Sequence, residues 1–241
     1  MSEPPPDRGS VLRRPAPGRL EDVTVEEAYS GPLGSHADRP WVGLCMVASI
    51  DGSTVVAGAS AELSSANDSA VMLRLRALAD VIIVGSGTVK AEGYGPPRRT
   101  GLRIGVVTAS GRIDPTIPLF TSGAGFVITT EEADVPSGIE VVRAGTDVVD
   151  LVAAIASLHE VCDDPRIVQA EGGPTLNGAL FAADAIDEIN VTTSPLTVGG
   201  GGARLAANGA GHAHRFELAQ LLTDDESFVY SRWLRVRSGE R

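Results

Sequence analysis

The chain predicts a three-layer α/β domain: a mixed, mostly parallel sheet with helices on both faces, ending in a C-terminal antiparallel hairpin. Three observations carry that expectation. Near-continuous apolar runs such as Trp41 to Ile50 and Val81 to Val84 read as strands buried on both faces. Stretches with apolar residues at helical spacing alternate with those runs, the rhythm of βαβ units. Two long strand-like segments near the end, Arg215 to Leu222 and Phe228 to Val236, are joined by the turn-forming Thr223-Asp-Asp-Glu226. A length of 241 residues suits one large domain of this kind.

Residues 1–38 read as a mostly disordered N-terminal tail. Met1 to Leu20 holds Pro4-Pro5-Pro6, Pro15, Pro17 and four arginines, a composition too poor in apolar residues to fold alone. Val23 to Tyr29 can make a short helix and Ser30 to Pro40 returns to turn formers, so the domain proper is expected at 39–241. Trp41 to Ile50 is the first central strand, ended by Asp51-Gly52. Ser65-Ala-Asn-Asp68 resembles a capping box that opens a helix with Val71, Leu75 and Leu78 on one face and Arg76 directed away from it. Val81 to Val84 is followed by Gly85-Ser-Gly-Thr88 and a polar loop from Lys90 to Leu102. Ile104 to Val107, Phe126 to Ile128 and Glu140 to Val142 are further strands, and Asp147 to Leu158 is a helix. Ile167, Val168 and Ala170 form a short strand, Glu171-Gly-Gly173 a turn, and Pro174 starts a helix carrying Leu176 and Leu180. Glu188 to Thr192 is a strand, and Gly199-Gly-Gly-Gly202 follows it with no clear successor.

A formal charge of −11 argues against nucleic acid and anionic membranes as partners, since both need a clustered basic face. Any phosphate site is therefore local, and with Lys90 as the single lysine it draws on arginine, backbone amides and hydroxyls. Two cysteines, Cys45 and Cys162, are too few for a disulfide framework and lack metal-ligand spacing. The histidines offer no third ligand beside His212 and His214, so no metal site is expected; a reducing, cytoplasmic setting is. No apolar run reaches membrane-spanning length, and no signal-peptide core is present, so secretion by that route is not expected. Gly-x-Ser-x-Gly, Walker and Cys-x-x-Cys motifs are absent, which removes the commonest motif-based hydrolase, phosphoryl-transfer and thiol-redox readings.

Loops that follow the strands should gather at the carboxyl edge of the sheet, where open α/β sheets place ligands. They are Ser49 to Ser53, Gly85 to Tyr94, Thr108 to Arg112, Thr129-Thr130 and Glu171 to Thr175. Gly172 and Gly173 let a ligand approach the main chain, and the helix behind them offers N–H groups with partial positive charge, which suits a pyrophosphate. Glycine and proline are also ordinary strand-to-helix punctuation, so that turn alone is a weak signal. Gly85-Ser-Gly-Thr-Val-Lys90 begins like a dinucleotide fingerprint, but Lys90 stands where its last glycine belongs. Thr108-Ala-Ser-Gly-Arg112 sets a hydroxyl and an arginine past a strand end, able to grip the extra phosphate that separates NADP from NAD; a lone loop arginine is usually just solvated. Asp51-Gly52 is first of all a turn pair. Glu171, a carboxylate closing a buried strand beside two glycines, is harder to explain without a ligand.

Val47-Ala-Ser-Ile-Asp-Gly52, Leu75-Arg-Ala-Leu-Ala-Asp-Val-Ile-Ile-Val-Gly-Ser-Gly-Thr-Val89 and Glu171-Gly-Gly-Pro-Thr-Leu176, in this order and spacing, resemble the pyrimidine reductases of riboflavin biosynthesis, the RibD C-terminal reductase family. The match runs from about Arg39 to Val236. The resemblance implies a dihydrofolate-reductase-like fold, a homodimer, NADPH as cofactor, and reduction of a ribosylamino to a ribitylamino group on 5-amino-6-(5-phosphoribosylamino)uracil. It places Val47, Gly85, Thr88, Glu92, Ser110 and the segment Gly173 to Ala179 at NADPH, and Ser60, Arg76, Arg99 and Glu171 at the substrate. Gly172, Pro174, Thr175, Leu176 and Arg112 complete the cofactor candidates, while Glu171 and then Asp51 are the candidates for orienting substrate and handling protons. Hydride transfer requires the nicotinamide carbon within about 3–3.5 Å of its acceptor in a water-poor cleft, and needs no protein nucleophile.

Two departures touch the substrate side. Family members often carry Lys or Arg after Asp-Gly, where this chain has Ser53, and the usual Asp-Asp-Pro segment reads Glu92-Gly-Tyr-Gly-Pro-Pro97. The family's companion deaminase domain is missing from the sequence, so only the reduction step is expected of it. A dihydrofolate or pterin reductase using the same NADPH site is one alternative, since a pterin presents a similar pyrimidine edge. A non-catalytic NADP(H)-binding sensor or partner subunit is the alternative of another class.

Overall fold

The computed structural model describes residues 11–16, 19–209 and 211–237. The strands are β1 (Val11–Ala16), β2 (Arg19–Thr24), β3 (Trp41–Ser49), β4 (Val81–Gly85), β5 (Arg103–Val107), β6 (Gly125–Thr129), β7 (Val141–Arg143), β8 (Ile167–Ala170), β9 (Glu188–Ser194), β10 (Phe216–Thr223) and β11 (Val229–Arg235). The helices are α1 (Val25–Ala28), α2 (Ala66–Leu78), α3 (Ser86–Glu92), α4 (Pro118–Thr121), α5 (Leu151–Ala156) and α6 (Pro174–Ala182). Among the described residues the strands form one eleven-stranded sheet in the order β2-β1-β10-β11-β9-β3-β8-β4-β5-β6-β7. From β9 to β7 every neighbour pair is parallel, so the carboxyl ends of those strands share one edge. β11, β10, β1 and β2 continue the sheet antiparallel on the far side.

The mixed α/β architecture follows the apolar pattern. Strands of a parallel sheet bury both faces, and β4 shows it: Val81 and Ile83 pack under α5 and α6, while Ile82 and Val84 pack under α3 and α4. Each fully buried aliphatic side chain of this kind contributes about 1.5–3 kcal/mol. The helix expected after Ser65 forms as α2, and the Ser65 hydroxyl accepts the Asp68 N–H at 3.1 Å. Elsewhere boundaries move. Asp150 caps α5, which starts four residues later than the apolar spacing predicts and passes into a 3-10 turn at Ser157–Glu160. The loop expected from Lys90 is partly helical, because α3 continues to Glu92 and ends only at Gly93, whose φ of 64° is left-handed.

The tail expectation is corrected where the residues are described. β1 and β2 make an antiparallel hairpin docked on β10 through Arg13 opposite Thr223. α1 carries a full capping box between Thr24 and Glu27. Leu12, Val25, Ala28 and Tyr29 bury against Val71 and Leu75 of α2 and against Leu222 and Tyr230. A composition rule fails here because the partners of these residues lie outside any local window, on α2, β10 and β11. Residues 1–10, 17 and 18, the rest of that expectation, lie outside the described residues.

Arg232 ties this layer together. Its guanidinium donates to Glu188 at 2.6 and 3.1 Å and to the carbonyls of Ala28 and Gly31, and lies 5.0 Å from the centre of the Tyr29 ring. Both side chains of the pair are 3% exposed. Arg232→Met should therefore leave the Glu188 carboxylate buried without its cation and lower stability by about 3–5 kcal/mol, read as a fall in the urea midpoint at constant slope.

Candidate active site

β4 and β8 are neighbours, and at the shared edge each turns through glycine straight into a helix. Gly85 is the N-cap of α3 and Gly173 of α6, and neither helix start is capped by a side chain. The two turns touch: the Gly85 N–H donates to the Gly172 carbonyl at 2.7 Å. The Gly172–Gly173 peptide is cis, and Gly172 has a left-handed φ of 85°. A Cβ on Gly172 would meet Met46 Sδ at 2.9 Å, and one on Gly173 would meet Thr88 Oγ1 at 2.6 Å. Bare backbone is thus required at this crossing. The uncapped α6 start leaves N–H groups without intrahelical partners and with partial positive charge, which fits a pyrophosphate.

Beside the crossing lies a cavity of about 1100 Å³ between α2, α3 and residues 93–102. Of the residues expected at the site, Val47, Ser60, Arg76, Thr88, Glu92, Arg99, Glu171, Gly173 and Pro174 line it. Ser60 donates through both its N–H and its hydroxyl to Glu92 Oε1 at 3.1 Å, so an expected substrate contact and an expected cofactor contact hold each other. Arg99 lies on the wall and donates to the Ala79 carbonyl. Gly85 and Gly172 form the crossing behind the wall. Ser110 and Arg112 lie exposed on the neighbouring loop after β5, where Ser110 Oγ is 3.4 Å from Thr108 Oγ1. Thr175 is exposed, whereas the Leu176 side chain is 6% exposed and belongs to the core, so only its backbone is placed for a cofactor.

Glu171 sits at the centre of the wall in a filled coordination shell. Arg76 donates to both of its oxygens, Nε to Oε1 at 2.7 Å and Nη2 to Oε2 at 2.5 Å. The Tyr94 hydroxyl adds a bond to Oε2 at 2.6 Å and Gln169 Nε2 one to Oε1 at 2.9 Å. A carboxylate offers about four acceptor sites, so this shell is complete. Burial works against the Arg76 charge, but the bonds and field of Glu171 outweigh it and hold the guanidinium above its ordinary pKa. Burial, then the Glu171 charge, pushes the Tyr94 phenol well above its ordinary value and keeps it a neutral donor. The ring of Tyr94 also covers Arg76, 5.6 Å from its guanidinium carbon. Sequence reasoning directed Arg76 away from the apolar face of α2 but did not find Tyr94 or Gln169 as the other donors to Glu171. The only signal was that Glu92-Gly-Tyr-Gly-Pro-Pro97 departs from the usual segment.

Asp51, the second proton-handling candidate, is not among the residues that line the cavity. Ser49 Oγ donates to its Oδ1 at 2.5 Å, and the N–H groups of Val198 and Gly199 donate to Oδ1 and Oδ2 at 3.1 and 2.7 Å. These bonds lower its pKa to about 2. Its carboxylate instead fastens the glycine-rich segment after β9, and Arg204 Nη1 returns a bond to its carbonyl at 2.8 Å. This is where Gly199-Gly-Gly-Gly202 leads: against the Asp51 turn, with Ser53 pressed on Gly202.

The model of the RibD C-terminal domain matches residues 40–230. The chain belongs to that family. A reductase from Methanothermobacter thermautotrophicus named for 2,5-diamino-6-ribosylamino-4(3H)-pyrimidinone 5′-phosphate is 32% identical over 213 residues, 79% of this chain and 96% of that one. The riboflavin biosynthesis protein RibD of Mycobacterium tuberculosis is 30% identical over 74% of this chain, which corresponds to 50% of that protein. Among solved structures, a pyrimidine reductase-like protein from Corynebacterium diphtheriae superposes with a TM-score of 0.76 at 24% identity, over 90% of this chain and all of that one. That likeness shows a shared RibD-type reductase fold, as the sequence motifs imply. Among the described residues no helix is long and apolar enough to cross a membrane.

The depressed pKa of Asp51 sets a pH window for the loop it holds. Its contribution to stability is present above the ordinary value of 3.8 and is lost as pH falls toward about 2. Asp51→Asn should melt below the native protein at neutral pH, with the gap in melting temperature closing between those two values.

Proposed function

We propose that this RibD-type domain is an NADPH-dependent reductase of a phosphoribosylaminopyrimidine, acting in the cytoplasm as a homodimer. The sequence motifs imply 5-amino-6-(5-phosphoribosylamino)uracil as substrate. The observation that carries the reading is the pair of uncapped helix starts at Gly85 and Gly173, in contact with each other on the rim of a cavity large enough for a nicotinamide beside a nucleotide. NADPH, when bound, supplies the hydride. The α6 start holds its pyrophosphate, and Arg112, whose guanidinium has no partner among the described residues, takes the 2′-phosphate with Ser110 beside it.

On the substrate side, Arg98 and Arg99 line the cavity and take the 5′-phosphate, which the overall negative charge of the chain does not otherwise favour. Glu171 orients Arg76 and Tyr94 rather than gripping substrate, because its acceptors are already filled. Reduction opens the ribose: the bond from C1 to the ring oxygen breaks, C1 gains the hydride and the oxygen gains a proton, leaving the ribitylamino chain. Leu218, Leu221 and Val229 share one outer face of the β10–β11 hairpin at 48%, 40% and 36% exposure, and a second copy would cover them. Light scattering that returned the mass of a single chain would remove the dimer from the proposal.

Purified protein should oxidise NADPH when given the phosphoribosylaminopyrimidine and not when given dihydrofolate. Turnover with dihydrofolate alone would make it a pterin reductase, and NADPH binding without any turnover would make it a sensor or partner subunit. Arg112→Ala should raise the Kd for NADPH about tenfold or more while leaving NADH within about twofold, a difference on the scale of one charge-assisted contact. Equal losses would rule out the 2′-phosphate role.

A further inference from the structure

Two residues on the cavity wall, Thr54 and Pro174, are tied to the same stretch of chain, the glycine-rich segment after β9. At the Asp51 turn the Val198 and Gly199 N–H groups donate to the Asp51 carboxylate at 3.1 and 2.7 Å. Thr54 then donates through its N–H and its hydroxyl to the Ala203 carbonyl at 2.8 and 3.1 Å, and Arg204 donates to the Asp51 carbonyl. From the next residue the partners belong to α6: Asn177 Nδ2 donates to the Leu205 carbonyl at 2.6 Å, and the Ala207 N–H donates to the Pro174 carbonyl at 2.9 Å. Ties to the turn thus end at Arg204, and ties to the helix begin at Leu205. Neighbouring Cα atoms stand about 3.8 Å apart, so little slack separates the two sets.

The segment is also fitted to α6 by packing. A Cβ on Gly178 would stand 1.9 Å from the Ala207 carbonyl oxygen, and the Leu205 side chain joins the core cluster that holds Leu176 and Leu180. Asn177 is fully buried, so its amide serves the segment and not a ligand. The helix needs such a hold from outside. Its N-cap, Gly173, has no side chain to bond the first turn, and the bare N–H groups there must point at the pyrophosphate they are assigned. Donors serve an anion well only when supporting groups fix their direction.

We propose that residues 198–208 form a strap that positions the start of α6 for NADPH, and that Asp51 is a positioning residue for the cofactor through that strap. The inference rests on the NADPH reading of the α6 start and extends it to a carboxylate outside the cavity. With Asp51 engaged, Val198 and Gly199 are pinned, Ala203 stays on Thr54, and the Leu205 carbonyl stays within reach of Asn177. Releasing the Asp51 end lets the first turn of α6 tilt away from the pyrophosphate. Coupling between two sites is reciprocal, so a pyrophosphate that fixes α6 also tightens the strap at Asp51.

The test is titration of NADPH into folded native protein, Asp51→Asn and Gly178→Ala. Asp51→Asn leaves one acceptor oxygen for N–H groups that now use two, while Gly178→Ala presses the strap off a helix that alanine itself favours. Each should raise the Kd for NADPH about threefold or more, the scale of coupling through a packed link, and the loss should fall on KM for NADPH more than on kcat. A purely structural role would lower the melting temperature and leave the Kd of the folded protein where it was. Both variants act on one strap, so the double variant should raise Kd by less than the product of the single effects. In the native protein, NADPH should also slow amide exchange at Val198 and Gly199, a readout that needs no variant. An unchanged Kd in the folded variants, full multiplication in the double, or exchange indifferent to NADPH would overturn the inference and leave the reductase reading in place. Native protein that binds no NADPH would overturn the cofactor reading and this inference with it.

Discussion

Two turns without side chains pass within hydrogen-bond distance at the carboxyl edge of the sheet, and the site is arranged around that contact. The Gly85 N–H reaches the Gly172 carbonyl across a crossing where Gly172 and Gly173 leave no room for a Cβ, since Met46 and Thr88 close in to within 3 Å of where such atoms would stand. The contact sets α3 and α6 side by side with their starts uncovered. It also places Glu171, the last residue before the crossing, on the cavity wall. Backbone and dipoles shape this site before any charged side chain does.

Charge is then distributed so that little of it is free. Glu171 and Arg76 neutralise one another, Tyr94 remains a neutral donor, and Asp51 is fully engaged with the loop after β9. The centre of the cavity wall is polar yet held, since Arg76 makes two bonds to Glu171 and Glu171 accepts four in all. What remains for ligands is a short inventory: helix N–H groups and the loop arginines Arg98, Arg99 and Arg112. For a chain of net charge −11 that inventory explains how phosphate can be taken locally without a basic surface.

Much of the fold was legible in the chain. The apolar runs located β3, β4, β5, β6 and β8, the Ser65 signal located α2, and the terminal pair located the β10–β11 hairpin, because each depends on local periodicity. The tail was misjudged, since Leu12 and Tyr29 are buried only by residues of β10, β11 and α2 that no local window contains. The Asp51 turn was correctly seen as a turn, but its carboxylate was open to a chemical role until Val198 and Gly199 were found donating to it across nearly 150 positions.

Sequence alone determined the parallel strands with the helices α2, α5 and α6 between them, the glycines at the two turns, the RibD-type motifs and the small number of groups available for phosphate. These are properties of residue type and short-range spacing. Tertiary structure decided what each carboxylate holds. Glu171 and Asp51 look alike in the chain, and only the donors that folding brings to each one, four for Glu171 and three for Asp51, separate the anchor of the cavity wall from the clamp of the loop after β9.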